Sequence, residues 1–173
     1  MASGNFHNCL AVTLGYEGGY SNNPHDPGGA TMNGIIQTEY DSWRKARGLS
    51  IRPVKFIDAS ERDEIYEEQY WTPLKCEDLP LGIDLMVFDL GVNSGIVRSA
   101  KHLQQCLGVN ADGHIGLITL GAVRKVNDRT SLIKKLSAKR LSFLQALKNW
   151  KWFGRGWRNR VVDITAKALK MSR

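Results

Sequence analysis

Apolar residues recur along most of this chain at the three-and-four spacing of helices, and the exceptions fall in a few short stretches. Phe6, Cys9, Leu10, Thr13 and Leu14 make one stripe, which Glu17 continues. Gly18 stands where a cap would close that helix. Residues 21–34 break the pattern with three Asn, two Pro and three Gly, so they predict a loop or short hairpins. Thr38 to Asp41 reads as a capping box for a helix ending at Gly48. Residues 52–57 read as extended around Pro53. A helix then starts at Asp58 or Ser60 and stops before Thr72-Pro73.

The second half is more regular. Residues 82–93, GIDLMVFDLGVN, are apolar nearly all round and predict a central buried helix. The next helix stops at Gly108, and Thr119 is a plausible N-cap after a turn. Leu132, Leu136, Phe143 and Leu147 mark another helix, and Trp157, Val161, Ile164 and Ala168 the inward face of the last. The fold class is therefore mainly α, with any strands confined to the region after the first helix. A composition shift near residue 93 divides the chain into lobes 1–92 and 93–173, packed as one globular unit.

Composition narrows the partners. The chain has 173 residues, 42% hydrophobic and 24% charged, with 24 Lys+Arg against 17 Asp+Glu and a net charge of +7. Such a surface favours anionic partners: nucleic acid, acidic lipid or an anionic wall polymer. No apolar run is long enough for a membrane span, so no membrane insertion is expected. The first residues have neither a basic region nor an apolar core, so no signal peptide is read. Cys9, Cys76 and Cys106 are odd in number and widely spaced, which predicts reduced thiols in a core. No spacing of Cys or His predicts a metal site, and no cofactor is expected.

Glu17 carries the chemistry. An inward carboxylate loses hydration and lies at the negative end of its helix, and both effects favour a held proton. A lone inward Glu is more often structural. Here eight residues lead from Glu17 to Asp26 and four more to Thr31. Two carboxylates on facing segments suit glycoside hydrolysis: one protonates the leaving oxygen, the other serves the charged transition state or the water. A threonine hydroxyl can hold that water. Tyr20, Tyr70 and Trp71 are candidates to stack on sugar rings.

The stretch EGGYSNNPHDPGGATMNGI resembles the signature of glycoside hydrolase family 108, N-acetylmuramidases of phage endolysins and secretion-linked systems. It matches at Glu17 through Tyr20, Asp26 through Gly29, Thr31, Gly34 and Ile35. IYEEQYW (65–71), VFDLGVNSG (87–95), LQQCLGVNADGHIG (103–116) and GWRNRV (156–161) are similar to later blocks of that family. The second half resembles a helical peptidoglycan-binding module. The resemblance implies a lysozyme-like helical fold and an enzyme that cuts the β-1,4 bond between N-acetylmuramic acid and N-acetylglucosamine. It makes Glu17 the catalytic acid and peptidoglycan the partner. It also implies synthesis in the cytoplasm and action on the wall after holin-type or secretion-linked release, as a monomer.

Other readings compete at particular residues. Asp89 and Asn93 share a helix face, either as a hydrogen-bonded core pair or as the floor of a sugar groove. Gln104 leans to structure. Trp150, Trp152, Phe153 and Trp157 interleave with Lys151, Arg155, Arg158 and Arg160, which imitates a nucleic-acid groove. A core Trp cluster beneath a wall-attracted basic face is the preferred reading, so no nucleic acid is expected. Cys9 as a peptidase nucleophile lacks an obvious base. A non-catalytic wall-binding or secretion-accessory protein on the same fold remains the alternative function.

Overall fold

The computed structural model describes residues 4–22 and 29–173. Helix α1, Phe6–Leu14, ends sooner than its stripe predicts. Gly15 is its cap, and the amides of Tyr16 and Glu17 bond back to Thr13 and Leu14 carbonyls at 3.0 and 3.1 Å. Glu17 therefore sits in the turn leaving the helix, ahead of Gly18-Gly19.

The chain returns as a small hairpin, β1 Thr31–Met32 and β2 Ile35–Ile36, pairing Thr31 with Ile36 and Met32 with Ile35. Its turn is Asn33-Gly34, both at positive φ (51° and 78°), the combination a two-residue hairpin demands. Ser21 bridges to Thr31 through both backbone bonds, at 2.9 and 2.8 Å. The segment after Glu17 is thereby laid alongside β1.

Helix α2, Gln37–Ala46, follows β2 directly. The expected Thr38–Asp41 box is not its start: Ile36 is the N-cap, and Asp41 instead accepts from Gln37 Nε2 at 2.7 Å. The Ile36 backbone donates to the Glu39 carboxylate. Residues 54–56 form a single 3₁₀ turn rather than extended chain, because Gln37 Oε1 captures the Val54 amide at 2.6 Å. Asp58 caps α3, Ala59–Tyr66, by accepting from the Glu61 amide. The helix then widens into a π-helical run, Glu67–Trp71, and ends before Thr72.

Helix α4, Ile83–Ser94, is buried along nearly its whole length. Against it pack α1, α5 (Ile96–Leu107), α7 (Arg129–Gln145) and α8 (Trp150–Met171). Gly82, at the start of α4, lets the α8 backbone come close: a Cβ there would lie 2.3 Å from the Ala168 carbonyl oxygen. Helix α6, Leu117–Arg124, is capped by Gly116 and not by Thr119. Thr119 is instead bound by buried Gln104, whose side chain also clasps Asp112, Gly113 and His114. The Asp112-to-Thr119 loop is thus held by one amide.

Trp157 is not in the core. It is half-buried in an aromatic row with Trp150 and Phe153, ring centroids 6.3 and 5.8 Å away. Trp152 and Phe153 are exposed. The apolar row of α8 that enters the core begins at Val161, with Ile164 and Ala168. Cys9 and Cys76 are buried and Cys106 half-buried, all reduced. Burial, then Asp84, pushes the Cys9 thiol far up, so it is no nucleophile. Among the described residues no helix is long and apolar enough to cross a membrane.

Candidate active site

A buried acid needs hydrogen-bond donors, and it stays charged most readily beside cations. Asp89 of α4 is fully buried and finds two. Arg140, on the inward stripe of α7 between Leu136 and Leu144, donates to Oδ2 at 2.6 Å. Arg160 of α8 donates to Oδ2 at 3.2 Å and to Oδ1 at 2.8 Å. Burial opposes the charged carboxyl, but Arg140 and Arg160 prevail and hold it below the usual range. Arg160 continues outward: its two terminal nitrogens each donate to Glu17 Oε1 at 3.1 Å. A row of alternating charge, Arg140–Asp89–Arg160–Glu17, therefore runs from the core to the turn after α1.

Glu17 is consequently not wrapped in apolar neighbours, as its stripe implied. Its side chain is 19% exposed and its Oε1 rests on a guanidinium. Arg160 is also stacked 4.9 Å from the Tyr16 ring, and the Tyr16 hydroxyl donates to Asp163 of α8. The two residues next to each other in the turn are both tied to the last helix.

The other face of Glu17 is formed by the hairpin turn and the end of α3. A Cβ on Gly34 would lie 2.9 Å from Glu17 Oε2 and 3.0 Å from the Tyr66 hydroxyl. Tyr66 donates to the Asn33 carbonyl at 2.6 Å, pinning the turn in place. Burial first, then the Glu17 charge, raises the Tyr66 hydroxyl above its usual range, so it stays a neutral donor. Gly34→Ala is expected to lose about 1–2 kcal/mol from the left-handed backbone alone. It should also cut turnover more than that loss implies, since the methyl displaces the carboxylate. Urea melts alongside kinetics on soluble glycan would separate the two effects.

The predicted site residues divide as follows. Thr31 sits on β1, half-buried, paired through Ser21 to the Glu17 segment. Asp26 lies outside the described residues. Tyr20 is 48% exposed and available to a ligand. Tyr70 is half-buried, its ring 5.6 Å from Tyr66. Trp71 is not a sugar platform: it is 2% exposed, packed edge-on against Phe6 and Phe88. The π-helical run turns its indole into the core, where Nε1 donates to Glu77 at 3.3 Å. Asp89 is not on a groove floor either; it lies beneath, as the anchor of Arg160. Asn93, one turn on, is exposed and accepts from Arg140 at 3.3 Å. Among the described residues no three His, Cys, Asp or Glu side chains gather to hold a metal ion.

Sequence reasoning placed Arg160 with the exposed cations and passed over Arg140, Tyr66 and Gly34 as site residues. A signal for the arginines existed. Arg140 stands in register with Leu132, Leu136 and Leu144, where a buried cation needs a buried acid. Asp89 was that acid.

A family model described as glycosyl hydrolase 108 matches residues 10–95, and one described as a predicted peptidoglycan domain matches residues 98–162. Among solved structures the chain is similar to the structure of Brucella abortus SagA. The two are 38% identical with a TM-score of 0.84, covering 98% of this chain and 97% of that one. No curated protein matches the chain.

Proposed function

Since the chain belongs to glycosyl hydrolase family 108 and is a glycosidase acting on peptidoglycan, we propose that it is an N-acetylmuramidase with Glu17 as general acid. The bond cut is the β-1,4 link from N-acetylmuramic acid to N-acetylglucosamine. The observation that carries this reading is the fixed carboxylate: Arg160 holds Oε1, while Oε2 lies against Gly34 in the turn. With Oε1 occupied, Oε2 is the oxygen that carries the proton in this reading. Glu17 donates its proton to the leaving oxygen as the sugar takes on positive charge. Asp26 serves that charge or the attacking water, with Thr31 holding the water. The enzyme works on the wall, reached by holin-type or secretion-linked release.

Mass spectrometry of products from purified peptidoglycan tests the reaction. Fragments ending in reducing muramic acid are expected; reducing glucosamine or free stem peptides would defeat the reading. Absence of any product from a folded, wall-binding chain would favour the non-catalytic alternative. Asp26→Asn is expected to lower kcat by tenfold or more with little change in wall affinity. A mutant at nearly full rate would make Asp26 only a turn former before Pro27.

The exposed cations at the start of α8 raise wall affinity. Arg155 and Arg158 are exposed, with Arg158 near the Trp150 ring, whereas Arg160 belongs to the buried row. Neutralising Arg155 and Arg158 together should weaken binding to sacculi and flatten its salt dependence. Turnover on a short soluble glycan should not change.

A further inference from the structure

Helix α4 ends at Ser94, and Gly95 turns the chain into α5. At that break lies a cavity of about 600 Å³, and its lining includes Ser94, Ile96, Val97, Arg98, Lys101 and His102. Among the described residues no acidic side chain lines it, and none occupies the first turn of α5, whose N-terminal amides face this end. His102 is 8% exposed, and its Nδ1 has no hydrogen-bond partner among the described residues. That nitrogen is sealed from solvent, so a ligand in the cavity meets other atoms of His102. Burial, then Lys139, Arg98 and Arg140, pushes the His102 imidazole down to about 4, so it is neutral and can donate or accept.

The cavity wall also has an apolar side. Val97 is 50% exposed, and Arg98 lies 4.1 Å from the Phe143 ring, which meets His102 edge-on. The guanidinium is thus held on the same aromatic ring that meets His102. Two cations, a neutral imidazole and small aliphatic surfaces suit a short peptide bearing carboxylates and methyl groups.

Ser94 donates to Asn93 at 3.1 Å, and Asn93 accepts from Arg140 of the charged row beneath Glu17. The cavity therefore borders the buried, Arg140 end of that row, and Glu17 stands at its other end. We propose that this cavity binds the carboxylate-bearing peptide stem of peptidoglycan while the glycan strand lies at Glu17. The proposal rests on the hydrolase reading for the glycan but not for the peptide.

Two measurements decide it. The first compares turnover on sacculi with turnover on the same glycan stripped of its stems by an amidase. Arg98→Ala/Lys101→Ala should raise KM about tenfold or more on sacculi and leave the stripped glycan unaffected. Lys101→Glu, at an exposed position, provides a second variant should loss of the Phe143 contact impair folding. Equal KM for wild type and both variants on sacculi would overturn the proposal. The second titrates the free tetrapeptide stem into the Glu17→Gln chain by calorimetry. Binding that both variants abolish is expected. No binding, or binding unchanged in the variants, would overturn it. If wild type cleaves neither glycan, the hydrolase reading falls while the titration still decides the cavity.

Discussion

Glu17→Gln should abolish lysis of peptidoglycan, with kcat falling by about 10³-fold or more. The amide keeps the shape, and its oxygen still accepts from Arg160. It has no proton to give to a leaving oxygen. Thermal stability should change by no more than about 1 kcal/mol, because a half-buried ion pair is exchanged for a hydrogen bond from the same guanidinium to a neutral amide oxygen. Sacculus binding should persist. Lysis at the wild-type rate by the folded mutant would remove Glu17 from the chemistry.

Removing the anchor should do the opposite, costing stability first. Asp89→Ala leaves the Arg140 and Arg160 guanidinium groups buried without their carboxylate, with an expected loss of about 3–5 kcal/mol. The pH dependence follows from the depressed Asp89 carboxyl. Its contribution is complete above the unfolded value near 4 and is lost as pH falls through the lower folded value. The gap in stability between wild type and Asp89→Ala should therefore narrow in acid, as urea melts down to about pH 3 would show. Asp89 does not touch substrate; it positions Arg160. Asp89→Asn should accordingly lower kcat more than it raises KM, and Asp89→Glu should recover part of the rate. A constant gap across the pH range would mean that Asp89 contributes as much neutral as ionised, and the depressed carboxyl would be wrong.

The elements were legible because their apolar spacing is regular. The helix of residues 82–93 and the stops at Gly108 and before Thr72 follow from local rules that tertiary packing does not contradict. The misses share another cause. Residues 54–56 curl because Gln37 takes the Val54 amide, a bond between residues distant along the chain. Trp71 and Trp157 exchange their expected settings for similar reasons. A π-helical run turns Trp71 inward, and the apolar row of α8 joins the core only from Val161. In the site, Glu17, Thr31 and Gly34 fall within one local motif, so the sequence could bring them together. Arg140 and Arg160 lie more than a hundred residues away, and only the folding of α7 and α8 onto α4 places them under Glu17.

The row from Arg140 to Glu17 also bears on how such proteins can be recombined. Its two acids lie within the stretch matched by the glycosidase family model and its two arginines within the stretch matched by the peptidoglycan domain. The second stretch is therefore not a detachable tail. A graft that joined residues 10–95 to a foreign wall-binding segment would strand Asp89 in the core and release Glu17 from its guanidinium. Halves drawn from different ancestors can be exchanged only if the incoming one brings both arginines in the same register, so this family's lineage should record the two halves descending together.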